Sequence, residues 1–130
     1  LACNACHQVS GVGGLVGPEL TSIGSTLSAE RIIEELLWPD RQIKEGYTPV
    51  EVNTKDDRIF IGYDRTALQR PEQGLLVLQD TVSAKLIQIN QEEIRTSKKL
   101  RSLMPQGLTD NLSEKELAHL VHYLTQLGTQ

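Results

Sequence analysis

Apolar positions recur at two different spacings along the chain, and the change of spacing divides it. Between Leu27 and Trp38 the spacing is helical, with Ile32, Ile33, Leu36 and Leu37 on one stripe. Ser28 is a good N-cap, Leu27 and Ile32 are placed for a hydrophobic staple, and Pro39 stops the helix. From Tyr47 to about Ile94 the pattern alternates. Val50 and Val52 are separated by polar residues, and Ile59, Ile61 and Tyr63 alternate with Phe60 and Gly62. Lys55-Asp56-Asp57-Arg58 reads as the hairpin turn between them. Leu75-Leu76-Val77-Leu78 is a buried-strand run, and Lys85-Leu86-Ile87-Gln88-Ile89 follows a polar break. This block predicts about four antiparallel strands, joined by loops at Asp64–Gly74 and Asp80–Ala84. Ser113-Glu114-Lys115-Glu116 is a capping box with Leu112 and Leu117 set to staple it, and Gly128 is a natural stop after Leu127. Leu117, Leu120, Val121, Leu124 and Leu127 share one face of that helix; His119 and His122 lie off it. The expected class is α+β. A chain of 130 residues predicts a single domain, read as residues 1–46, a β insertion over 47–95, and a closing segment 96–130.

Composition narrows the function classes. Hydrophobic residues make up 38% and charged residues 23%, ordinary for a globular chain and unlike a disordered one. Thirteen basic against 17 acidic residues leave a net charge of −4, with no basic cluster larger than Lys98, Lys99 and Arg101. A nucleic-acid partner needs a basic face, so none is expected. No apolar run approaches the roughly 20 residues of a membrane helix, so no membrane span is expected. Aromatic residues are only 4%, a composition in which a cofactor can fill part of the interior. The chain begins at Leu1, which fits removal of a leader or excision from a longer protein.

The chemistry concentrates in Cys3-Asn4-Ala5-Cys6-His7, which uses both cysteines and one of the three histidines. C-x-x-C-H is the attachment sequence of c-type haem. Two thiols three positions apart can each add to a vinyl group on one porphyrin edge, and the next residue then offers an imidazole to the iron. Other readings use the same residues. A thioredoxin-like redox pair wants a preceding strand, a zinc site wants a further ligand pair, and a Cys3–Cys6 disulfide leaves His7 without a role. The glycine-rich stretch Gly11–Leu20 follows, in which glycines permit close backbone approach to a flat ring. In it, the Pro18 carbonyl can accept the second ring N–H of a ligating histidine, and Leu20 can pack on the ring. Trp38, and Arg41 and Lys44 after Pro39, are candidates for haem propionates. Met104, the only methionine, lies in a loop before the last helix and is followed by Pro105. Its thioether is a soft neutral ligand that raises the potential of His-ligated haem iron and fills the sixth position.

C-N-A-C-H, G-P-E-L and S-L-M-P before a capped terminal helix resemble class I cytochrome c. The longer run C-x-A-C-H-x-V-x-G-x-G-G-x-V-G-P-x-L-T-x-I-G, with W-P-D-R-Q-I-K-E-G-Y, S-L-M-P-Q-G-L-T and L-V-H-Y-L, resembles the haem-binding domain at the ends of large planctomycete and verrucomicrobial proteins. The resemblance implies class I cytochrome c-like helices around haem with an inserted small antiparallel sheet. It implies haem c held by Cys3 and Cys6, iron between His7 and Met104, a hydrogen-bonding role for Pro18, and Tyr47 near the haem pocket. The implied role is electron transfer without an enzymatic step of its own. The partner is a redox donor or acceptor protein, or a fused dehydrogenase module, at a periplasmic or otherwise extracytoplasmic site. The rival is a haem-based sensor or peroxidase-like enzyme with a labile sixth ligand. Two departures stand out: almost nothing precedes Cys3 where such cytochromes carry a helix, and Asp56-Asp57 stands where the family often has Asp-Gly.

Overall fold

The computed structural model describes residues 2–129. In chain order its elements are a 3-10 turn Cys3–Ala5, β1 (Gln8–Val9), β2 (Val12–Gly13), α1 (Ile23–Thr26), α2 (Ala29–Leu37), β3 (Val50–Thr54), β4 (Ile59–Asp64), α3 (Thr66–Gln69), β5 (Leu75–Asp80), β6 (Leu86–Asn90), a second 3-10 turn Gln91–Glu93, β7 (Ile94–Lys99) and α4 (Glu114–Gln126). The chain divides into two compact units, Leu1–Ile43 with Met104–Gln130, and Lys44–Leu103. Among the described residues no helix is long and apolar enough to cross a membrane.

This architecture corrects the expected α+β class of cytochrome c-like helices around haem with a small inserted sheet. The dominant feature is a five-stranded antiparallel sheet in one unit; the other unit holds a separate two-stranded ribbon, β1–β2. The helices are few and short: α1 and α3 have four residues each and α2 has nine. The sheet has five strands instead of about four because β7 was not foreseen. Only Ile94 in it is even half-buried, and Arg-Thr-Ser-Lys-Lys carries no alternation to read. It is an edge strand, where lysines discourage further pairing.

The sheet order is β6-β5-β4-β3-β7, each neighbour antiparallel. Register puts Val52 opposite Phe60, Leu76 opposite Ile89, and Leu78 opposite Ile87. These side chains share one face, and Val52, Leu78 and Ile89 form its buried centre. Ile87 and Ile94, from the two edge strands, both pack on that centre. The opposite face leaves Ile59 and Leu86 exposed. At the β3–β4 turn Asp57 has a left-handed φ of +67°. That conformation disfavours an L side chain by about 1 kcal/mol or more. Arg95 offsets it, donating to the Asp57 carboxylate at 2.8 Å and to the Lys55 carbonyl at 3.0 Å. Buried Thr54 closes the same turn by accepting the Arg58 N–H at 3.0 Å.

In the other unit, both longer helices start as their sequences require. The Ser28 hydroxyl accepts the Arg31 N–H, and Ser113 and Glu116 form the full capping box of α4. Ile32 and Leu36 are the buried face of α2. Both α1 and α2 pack against α4. The α1 contact is close because Gly24 has no side chain: its N–H donates to the Leu127 carbonyl at 2.9 Å, and a Cβ there would lie 2.2 Å from the Thr125 carbonyl oxygen. No residue of α4 is fully buried, although its stripe is apolar.

Two consequences can be measured. Leu78→Ala removes a side chain with no solvent exposure and should lower unfolding free energy by roughly 2–5 kcal/mol in denaturant titration; a loss well under 1 kcal/mol would contradict the packing described. The Ser113 backbone N–H and hydroxyl hold the Glu116 carboxyl below its ordinary value of 4.5. Its stabilising effect is therefore complete above that value and is lost as pH falls through the lowered pKa. The stability gap between wild type and Glu116→Gln should be present at neutral pH and vanish in acid; a gap independent of pH would contradict the ionised cap.

Candidate functional site

The Cys–His segment forms one tight turn. The Cys6 and His7 amides both donate to the Cys3 carbonyl, at 3.2 and 2.9 Å. Cys3 is half-buried and Cys6 exposed, and both are free thiols. From this turn the His7 ring reaches across to the following loop, where Nδ1 lies 2.6 Å from the Pro18 carbonyl oxygen. A carbonyl oxygen only accepts, so Nδ1 carries the proton. In the neutral ring the lone pair then resides on Nε2. The contact thereby fixes the tautomer and the ring plane of His7 and leaves the lone pair on Nε2.

The loop from Ser10 to Leu20 is held against the turn by its backbone. The Gly14 amide donates to Asn4 at 2.9 Å, Gly17 to Cys6 at 2.7 Å, and Leu20 to Gln8 at 2.8 Å. The ribbon adds Gln8 opposite Gly13 and Val9 opposite Val12. Such closeness excludes side chains. A Cβ on Gly13 would fall 2.0 Å from the His7 carbonyl oxygen, and one on Gly14 2.0 Å from that of Ala5. A Cβ on Gly17 would fall 2.5 to 2.9 Å from three atoms of the His7 ring. These glycines were expected to admit a flat ring; what each one admits here is the Cys–His turn itself. The ribbon was also unforeseen, since two-residue strands are too short to show a period.

The remaining sequence-derived candidates are dispersed. Leu20 is half-buried and begins the turn into α1, accepting the Ile23 amide at 3.0 Å. Trp38 caps α2 and is 44% exposed, with the Arg41 guanidinium 4.1 Å above its ring. Met104 is half-buried at a bend in the same unit as the Cys–His turn. Tyr47 belongs to the Lys44–Leu103 unit, where it meets Tyr63 edge-to-face at 5.1 Å. Lys44 lies 5.9 Å from the Tyr47 ring centre. Arg65 lies over both tyrosine rings, at 5.0 and 5.1 Å, and donates to Gln79 at 3.0 Å and to the Gly46 carbonyl at 2.5 Å. No periodic signal marks Arg65, because its partners come from separate stretches of chain. His119 and His122 are exposed on α4. An open groove of about 490 Å³ runs between α2 and α4, lined by Ala29, Ile33, Leu117, Ala118, Val121 and His122 among others.

The donor set decides what this site can hold. Among the described residues no three His, Cys, Asp or Glu side chains gather as a chelating group for a bare ion. The site offers two free thiols beside one imidazole whose Nε2 is left basic, and a single thioether elsewhere in the unit. Those donors fit a group that brings its own equatorial nitrogens and needs two covalent anchors and axial ligands, as haem c does. Gly17→Ala should drive the His7 ring off Pro18 and abolish its Nδ1–H preference, read from nitrogen NMR of the imidazole. Retention of that tautomer in the variant would show that Gly17 does not set the ring. Neither the protein-family models nor the curated proteins compared with this sequence match it.

Proposed function

We propose that the chain carries one covalently attached haem c and works as an electron-transfer module. The observation that carries the reading is the 2.6 Å contact between His7 Nδ1 and the Pro18 carbonyl, directly beside two free cysteines. A histidine whose second nitrogen is held by a carbonyl is the ordinary arrangement of a metal-ligating imidazole. Cys3 and Cys6 would anchor the group, each thiol adding across a vinyl group with nothing displaced and no oxidant needed. His7 Nε2 would ligate the iron, and Met104 would supply a second ligand from a backbone that Pro105 stiffens.

Bound this way, haem supplies a one-electron couple. The chain's own part is to choose and hold the ligands. A soft thioether together with imidazole would favour the ferrous state and would keep oxygen or peroxide from binding. Trp38 and Arg41 remain the candidates for the propionates within the Cys–His unit. Attachment of haem c takes place outside the bacterial cytoplasm, which places the protein in an extracytoplasmic compartment. Its partner is a redox protein or a dehydrogenase module fused to it.

Expression in a host that matures c-type cytochromes, followed by intact mass and visible spectra, tests the reading. The mass should rise by one haem, and Met104→Ala should lose the weak red-edge sulfur-to-iron band and lower the potential. A colourless wild-type protein of unmodified mass refutes the proposal; an unchanged band in the variant moves the ligand role to another residue.

A further inference from the structure

The Lys44–Leu103 unit holds a guanidinium that is fixed in place without a counter-charge. Arg65 follows β4, and its amide donates to the Val77 carbonyl at 2.8 Å. Its side chain is held at two nitrogens. Nε donates to Gln79 Oε1 at 3.0 Å, and Nη1 donates to the Gly46 carbonyl at 2.5 Å. Gln79 is anchored in turn, donating through Nε2 to the Ala84 carbonyl at 3.3 Å. The guanidinium lies in the notch of the Tyr47 and Tyr63 rings, 5.0 and 5.1 Å from their centres. Gly46 permits the approach: its φ is +87°, and a Cβ there would lie 3.0 Å from Nη1.

A guanidinium is a planar fork of N–H donors with no acceptor. Here Nε and Nη1 are engaged, whereas Nη2 makes no hydrogen bond among the described residues. Arg31, Arg58 and Arg95 each meet a carboxylate. Among the described residues Arg65 meets none, and neither does exposed Lys44, whose ammonium lies 5.9 Å from the Tyr47 ring centre. Asp64, next to Arg65 in the chain, instead accepts the Thr66 amide at 2.9 Å. A half-buried cation with unused donors has lost part of its hydration and has not regained it from the protein. Its fork is already oriented, so an oxyanion that binds it forfeits little side-chain freedom. We propose that Arg65 anchors an oxyanion site, which takes the carboxylate or phosphate group of a small ligand on the Nη2 side, with Lys44 adding attraction through space. The site uses residues of the Lys44–Leu103 unit alone and does not rest on the haem reading.

The test is titration of the full chain with sodium acetate and, separately, with inorganic phosphate, read at the Arg65 Nε–H signal by NMR. Sodium chloride at matched ionic strength is the control. The signal should move saturably, with half-saturation on the order of millimolar for one forked contact, and chloride should not reproduce it. The anion that saturates at the lower concentration identifies the group recognised. Arg65→Lys keeps the charge and loses the fork; read at the Tyr47 amide, it should bind about tenfold more weakly. Lys44→Gln should weaken binding about twofold at low salt and leave it unchanged at high salt. A wild-type shift that rises without saturating, or that chloride matches, overturns the site without recourse to any variant. Unaltered affinity in an Arg65→Lys protein of wild-type thermal midpoint overturns the role of Arg65.

Discussion

The Pro18 carbonyl can accept a hydrogen bond and cannot give one, and this one-sidedness governs the Cys–His unit. It decides which nitrogen of His7 is protonated and so which one is available to a metal. The contact needs the loop backbone pressed against the Cys–His turn. Gly13, Gly14 and Gly17 supply that closeness, and the amides of Gly14, Gly17 and Leu20 supply the hydrogen bonds that hold it. On the proposed function the histidine would be oriented before anything binds, so little ordering would remain to oppose binding.

The two units bury apolar surface in different ways. The open sheet buries one core on its face, with Val52 and Leu78 wholly removed from solvent and residues from both edge strands on the same centre. The helical unit rests on Ile32 and Leu36, and α4 leaves its whole apolar stripe at most half-buried. A small unit with so modest a core gains most from a covalently held apolar group or another added constraint, since its own side chains bury little. The proposed haem would act in that sense as a structural element as well as a redox centre.

Local chemistry was legible where it acts over a few residues. Ser28 and Ser113 start helices where hydroxyl and carboxylate find nearby amides, and Gly128 ends α4 with a φ of +79°. The strands around Val52, Ile61 and Ile87 were legible from apolar alternation, and that around Val77 from a continuous apolar run, since Val77 and Leu78 are buried on both faces. Asp57, at the position where the resembled family often has Gly, takes a left-handed φ of the kind Gly accommodates. Legibility failed where a segment has no apolar face or no length. β7 pairs with β3 alone and presents no apolar stripe, the β1–β2 ribbon spans two residues a side, and α1 is one turn fixed by contact with α4. Missing β7 and the ribbon left the expected fold with too little sheet, and the helices around haem came from the family resemblance.

By itself the sequence determined the donor set: two thiols and an imidazole on one turn, a lone thioether in a proline-stiffened loop, and the caps that start each longer helix. These are properties of residue type and short spacing, which survive any arrangement of the rest. Tertiary structure decided the His7 tautomer, the close packing that requires Gly17, the pairing of β7 and the meeting of Arg65 with Tyr47 and Gln79. Each depends on atoms from distant parts of the chain at contact distance, and no local pattern encodes a distance between segments that only folding brings together.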